Sequence, residues 1–166
     1  MQVNIALLTV TDTRTIDTDK SGAILVKKIA EANHKLIDRK LCKDEKEEIK
    51  KIILNWTKES KIDVIITTGG TGLTGRDITP EALDEIADKK IAGFGELFRQ
   101  LSYNTVGTST LQSRACAILK NGKYIFALPG SSGGVTDAWD MILKYQLDIN
   151  HKPCNFVELL PRLKEK

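Results

Sequence analysis

Aromatic residues are scarce, 5% of the chain, which argues against the stacking platforms that hold single-stranded nucleic acid. The net charge of +3 is too small and too evenly spread to call for a polyanionic partner. The lysine-rich stretch KDEKEEIKK mixes both signs at helical spacing, the pattern of a solvated helix face. The three cysteines, Cys42, Cys116 and Cys154, lie far apart without a Cys-x-x-Cys, and only His34 and His151 could join them. A disulfide framework or zinc site is not expected from such a set. No run approaches the roughly 18 apolar residues of a membrane span. The opening MQVNIALLTVTDTR has a short apolar run with no basic lead and no small-residue cleavage signal, so it reads as a first strand and not a signal peptide. A cytoplasmic protein with neither nucleic acid nor membrane as partner is the expectation.

What is present is a chain of 166 residues, 41% hydrophobic and 28% charged, enough for one domain with its own core. No repeat, linker or low-complexity segment divides it. A single domain over 1–166, with a tail from about 148, is expected.

Hydrophobic periodicity orders the elements. Val3 to Val10 reads as a buried strand, followed by a helix from about Ser21, a plausible N-cap, to Ala32. HKLIDRKL looks like a second strand. Asp44 then stands as the natural N-cap of a helix whose Ile49, Ile52, Ile53 and Trp56 fall at i, i+3, i+4 and i+7. IDVIITT, β-branched and unbroken, is the clearest strand and should be central. Thr79 with Pro80 reads as a cap and first helical position. Phe94, Leu97, Phe98 and Leu101 mark another helix, and Asn121-Gly122 between two apolar runs marks a hairpin. A last helix should run from about Gly133 to Leu147, with Val135, Trp139, Ile142 and Leu143 on one face. Strands alternating with helices give an α/β fold: three layers, doubly wound, mostly parallel, with one antiparallel hairpin.

The chemistry gathers in two glycine-rich loops, each behind an apolar strand. In IITTGGTGLTGRDITPEA the glycines allow backbone N–H groups to approach an anion where a β-carbon would block them. A tight turn without a ligand is the alternative. Gly70, Gly72 and Gly75 spell G-x-G-x-x-G, yet the motif follows the third strand and lacks the acidic partner of a dinucleotide fingerprint. Leu73 and Thr74 stand where a P-loop needs lysine and a hydroxyl. Asp77 would repel an anion held by the loop unless a divalent ion lay between them, which suggests magnesium; otherwise Asp77 simply caps the turn. The second cluster, LPGSSGG, would share the rim at the strand carboxyl ends.

These residues, TTGGTGLTGRDITPEAL with SRA and LPGSSGG, closely resemble the molybdenum cofactor biosynthesis proteins of the MoaB/MogA type, which include the molybdopterin adenylyltransferases. GFGELFRQLSYNTVGTSTLQSRA and KPCNF look more like the MoaB branch. The resemblance runs from the first strand to about Leu147. It implies a molybdopterin-binding fold in which the terminal phosphate of molybdopterin attacks the α-phosphorus of ATP, with Mg2+, releasing pyrophosphate. By the same resemblance Asp77 matches the family's essential aspartate, and Asp44 matches an acidic position that would share the catalytic and magnesium-binding role. Gly69, Gly70, Thr71 and Gly72 would form one phosphate cradle and Gly130, Ser131 and Ser132 the other. Ser113 and Arg114 could reach the substrate phosphate; alternatively Arg114 is a surface cation at the start of a strand. Thr11 and Asp12 are further candidates on the rim. A carrier or scaffold that binds the pterin without chemistry is the competing reading. The resemblance also implies homo-oligomers, hexamers or trimers, with other enzymes of cofactor biosynthesis as further partners. The FGELFRQL stripe suits an interface between chains or a core-facing helix equally well.

Overall fold

A computed structural model describes residues 1–165. Its strands are β1 (Asn4–Val10), β2 (Lys35–Cys42), β3 (Val64–Thr68), β4 (Lys89–Lys90), β5 (Cys116–Lys120) and β6 (Lys123–Leu128). Between them lie α1 (Lys20–Glu31), α2 (Lys46–Lys58), α3 (Thr79–Ile86) and α4 (Ala92–Val106), the last continued by a 3-10 turn at Gly107–Gln112. After β6 comes α5 (Ser132–Ala138), which passes through a π turn at Trp139–Leu143 into α6 (Lys144–Gln146). The short α7 (Phe156–Leu159) ends the regular structure apart from a 3-10 turn at Leu160–Arg162. The sheet order is β2-β1-β3-β6-β5-β4, parallel except where β5 runs against β6 and β4.

The strands read as nearly continuous apolar runs because both faces of the sheet are covered. On β1, Ile5 and Leu7 join Leu25, Phe98, Trp139 and Leu143 on one side, while Ala6 and Leu8 join Ile53, Trp56 and Leu83 on the other. β6 splits likewise, Phe126 to the first cluster and Ile125 to the second. The expected three-layer α/β architecture is therefore what forms, hairpin included: Asn121 and Gly122 take φ of 52° and 71°, as the tight turn requires.

The tail is packed onto the core, with Val157 buried and Phe156 against Tyr124 at 4.7 Å between ring centroids. The α4 stripe divides. Phe94 and Phe98 are buried in the core, whereas Leu97 is 41% exposed.

Three helix starts differ from the sequence reading. Asp19, not Ser21, caps α1, its carboxylate accepting from Gly22 N at 2.9 Å. Thr9 and Arg39, on the two neighbouring strands, also donate to Asp19 and fix it there. Glu45 holds the cap position of α2 without a side-chain bond, which leaves Asp44 outside the helix. Ile78 precedes α3, and the Thr79 hydroxyl instead donates to Gly69 O at 3.0 Å. The last helix starts at Ser132, capped by Ser131, and is interrupted by the π turn. β4, only two residues long, has no periodicity to announce it.

Candidate functional site

The register sets the site. Thr9 pairs with Thr68 and Thr68 with Leu128, so β1, β3 and β6 end level and their loops emerge side by side. This is also where the winding reverses, since β2 lies on one side of β1 and β3 on the other. Open α/β sheets bind their ligands at such a place.

Gly69 and Gly70 have φ of 100° and 67°, conformations that other residues rarely adopt. A β-carbon on Gly69 would meet Val10 O at 2.2 Å, and one on Gly70 would meet Thr79 Oγ1 at 2.3 Å and Asp44 Oδ1 at 3.0 Å. A β-carbon on Gly72 would lie 2.7 Å from Asp77 Oδ2. The loop is thus pressed against both carboxylates assigned to it from sequence.

Two cavities adjoin at this loop. One, of about 400 Å³, is walled by Phe98, Ser102, Thr110, Ser113, Pro129 and Asp137. The other, of about 290 Å³, holds Thr11, Asp12, Arg14, Asp44 and Gly69. Gly70, Asp77 and Gly130 line both and form the ridge between them. Thr71, Gly72 and Ser131 face the larger cavity alone. Ser131 is also the α5 cap, accepting from Gly134 N at 3.0 Å. Ser132 lines neither; it opens α5, and its carbonyl accepts from Thr136 Oγ1.

Asp77 plays the turn role as well. Its Oδ2 accepts from Thr74 N at 2.8 Å and from Thr74 Oγ1 at 2.6 Å. Burial pushes its carboxyl up, but these bonds and the Arg114 charge outweigh it and hold Asp77 below the usual carboxylate range. Asp44 behaves oppositely. Burial first, then the charges of Asp12 and Asp77, raise its carboxyl above the ordinary value despite Arg76 nearby. Asp12 is held low, mainly by hydrogen bonds from Arg76 and then by the backbone N–H of Asp44.

Arg114 lines neither cavity and grips the glycine loop. Its Nε donates to Gly72 O at 2.7 Å, Nη2 to Asp77 O at 2.8 Å, and Nη1 pairs with Glu81. Its backbone N–H donates to Thr71 O at 2.8 Å. The fork suggested for a substrate phosphate is engaged by protein acceptors instead, because the start of β5 runs beside the loop. Ser113, its neighbour, does reach the larger cavity.

Sequence reasoning assigned no role to Ser102, Asp137 or Arg76. Ser102 follows Phe98 at i+4, and a polar residue on an apolar stripe was the available signal. Asp137, which accepts from Thr105 Oγ1 at 2.6 Å, had none. Arg76 bridges Glu45 and Asp12, the latter in the wall of the smaller cavity.

Residues 6–149 match the family described as a probable molybdopterin binding domain. Molybdenum cofactor biosynthesis protein B of Escherichia coli strain K12 is 43% identical over 152 residues, covering 92% of this chain and 89% of its own. A crystal structure of a molybdenum cofactor biosynthesis protein B superposes with a TM-score of 0.90 at 38% identity, covering 100% of this chain and 98% of the other. The tungsten cofactor synthesizing protein of Pyrococcus furiosus gives a TM-score of 0.80 at 31% identity, with 99% and 98% covered.

Proposed function

Because the chain belongs to the family of molybdopterin-binding domains found in molybdenum cofactor biosynthesis proteins, we propose that it binds molybdopterin and adenylylates it with Mg-ATP. The observation that carries this reading is the pair of cavities meeting on one ridge of bare backbone at Gly70 and Gly130. A transfer between two anionic substrates needs such an arrangement, since most of the catalysis is positioning and charge stabilisation.

The larger cavity, with Phe98 and Pro129 in its wall, suits a flat heterocycle and its phosphate. The smaller, acidic one suits a polyphosphate that arrives with a cation. Magnesium fits the donor set: Asp44 and Asp77 both line this cavity, and a β-carbon on Gly70 or Gly72 would meet Asp44 Oδ1 at 3.0 Å or Asp77 Oδ2 at 2.7 Å, so both carboxylates adjoin the bare backbone. Asp44 and Asp77 would hold it. Among the described residues no group of three or more His, Cys, Asp or Glu side chains could hold a metal ion, so these two carboxylates alone are offered and ligand phosphates would supply the rest of the coordination. Bound magnesium supplies neutralisation of phosphate charge.

An oxygen of the pterin phosphate bonds to the α-phosphorus of ATP, and the bond from that phosphorus to the β-bridging oxygen breaks. Pyrophosphate leaves with the electron pair. Gly69 to Gly72 bring backbone close to the anions, and Arg114 with Glu81 holds that loop from behind. No proton need leave a protein side chain.

The chain assembles, in this reading, as a trimer or hexamer through the face where α4 and the following turn expose Leu97, Tyr103, Val106 and Leu111. Incubation with molybdopterin and Mg-ATP tests the chemistry: pyrophosphate and adenylylated pterin are expected. Tight pterin binding without pyrophosphate would leave a carrier.

A further inference from the structure

The larger cavity carries charge of one sign only. Among the described residues that line it, Asp77 and Asp137 are the sole ionisable side chains, and no lysine or arginine faces it. Asp77 stands on the ridge shared with the smaller cavity, its Oδ2 taken by Thr74. Asp137 stands elsewhere. It lies on α5 six residues beyond Ser131, about 9 Å along the helix at roughly 1.5 Å per residue. A phosphate in this cavity can be met only by neutral donors such as those of the glycine loops, and the carboxylate at the far end of α5 repels it. The occupant that suits both ends is anionic at one and a hydrogen-bond donor at the other.

Beside Asp137 lies a second group without a partner. Ser102, on α4, is 5% exposed and lines the cavity, yet its hydroxyl makes no hydrogen bond with any described residue. Buried hydroxyls usually have a partner, so one is expected from a ligand. Thr105 brings the two groups together. Its Oγ1 lies 2.9 Å from Ser102 O and 2.6 Å from Asp137 Oδ2, one proton shared between them. That contact fixes the Asp137 carboxylate and leaves Oδ1, with the remaining lone pair of Oδ2, for a ligand. Phe98, one turn before Ser102, and Pro129 add apolar surface for a flat ring.

We propose that Asp137 and Ser102 read the 2-amino-4-oxo edge of a pterin: Asp137 accepts from the exocyclic amino group and from the ring N–H beside it, and Ser102 donates to the neighbouring carbonyl. The order donor, donor, acceptor along that edge matches a carboxylate followed by a hydroxyl. The phosphate end then lies toward Gly70 and Gly130, on the ridge where the two cavities meet. The proposal rests on the reading of the larger cavity as the pterin site. It makes Asp137 a specificity-determining residue with no part in the phosphoryl transfer itself.

The test is titration calorimetry of the full chain with two probes: 6-hydroxymethylpterin phosphate, and its lumazine counterpart, in which a carbonyl replaces the 2-amino group. The wild type should prefer the pterin by about tenfold or more, the scale of a charged hydrogen bond lost and a carbonyl set against a carboxylate. Asp137→Asn keeps an acceptor for Thr105 and offers an amide N–H to the lumazine carbonyl. Pterin binding should therefore weaken roughly tenfold while lumazine binding holds or improves, and the preference should collapse. Ser102→Ala should weaken both probes by the same factor, because both keep the 4-carbonyl. The three proteins should melt together, since the Thr105 bond is kept and the Ser102 hydroxyl has no protein partner to lose. An equal loss of both probes in Asp137→Asn would assign that residue to the shape of the cavity and overturn the edge reading, and unchanged binding in Ser102→Ala would overturn the serine contact. A wild type that binds the two probes alike, or binds molybdopterin and neither probe, overturns the proposal while leaving the molybdopterin reading standing. A wild type that binds neither the probes nor molybdopterin overturns both.

Discussion

Asp77→Asn separates the turn-closing role that the structure gives this carboxylate from the cation-binding role proposed for it. The substitution keeps the size and one acceptor oxygen, so the turn to Thr74 can retain a hydrogen bond, but it removes the charge set against a cation. On the stability side, bonds to a charged acceptor become bonds to a neutral one on a solvent-facing loop. A loss of about 1 kcal/mol is the expected scale. For a domain of this size that corresponds to about 2–4 °C in Tm. The Asp77 carboxyl lies below its ordinary value in the folded protein. Its stabilisation is therefore present above the unfolded pKa and lost as pH falls through the folded one. The variant should accordingly lose part of the acid limb of the wild-type stability curve. On the chemical side, removing one preorganised electrostatic group typically lowers a rate by about two powers of ten or more. Single-turnover adenylylation at saturating Mg-ATP, beside thermal melts from pH 3 to 8, reads both effects. A well-folded variant with unchanged transfer would refute the metal assignment. A Tm drop several times larger than expected would show that closing the turn is the main task of Asp77.

Asp44 makes the opposite prediction for stability. Its carboxyl is raised by burial and by Asp12 and Asp77, so its ionisation opposes folding as pH climbs from the unfolded pKa through the folded one. Since Asp44 does not cap α2, Asp44→Asn should leave the metal-free protein equally or more stable at pH 7 while reducing the Tm increase given by Mg2+; a clear loss of Tm would contradict this account. Arg114→Met leaves Gly72 O, Asp77 O and Glu81 without their donor, and should lower stability by about 2 kcal/mol, seen as roughly 4–8 °C in Tm. Lost pterin binding with an unchanged melt would assign the guanidinium to the ligand instead of the loop. Sedimentation of the wild type should give three or six times the 18.4 kDa chain mass, and Leu111→Glu with Val106→Glu should reduce it; a wild-type monomer would remove the assembly proposal.

Local pattern was enough to find every strand of the sheet except the two-residue β4. β3 is five buried β-branched residues in a row, and β1 carries the apolar run Ile5 to Leu8 followed by buried Thr9 and Val10, because a strand covered on both faces has few positions for exposed polar groups. The Asn121-Gly122 hairpin was equally legible, since few other dipeptides accept positive φ at both positions. The glycine loops announced close backbone approach for the same reason, and Gly69 and Gly70 do press against Val10 O and Thr79. The helix caps were not legible. Asp19 and Ser21 are both capping residues two positions apart, and the choice is made by Thr9 and Arg39, which reach Asp19 from strands the local sequence cannot place. The same limit governs the site. Arg114 meets Gly72 from 42 residues away and Arg76 meets Asp12 from 64, so whether each guanidinium faces a ligand or the protein depended on which loops the sheet set side by side. A side chain's type and its local backbone follow from near neighbours, but its partner and its charge state follow from distant segments, and only the folded chain brings those together.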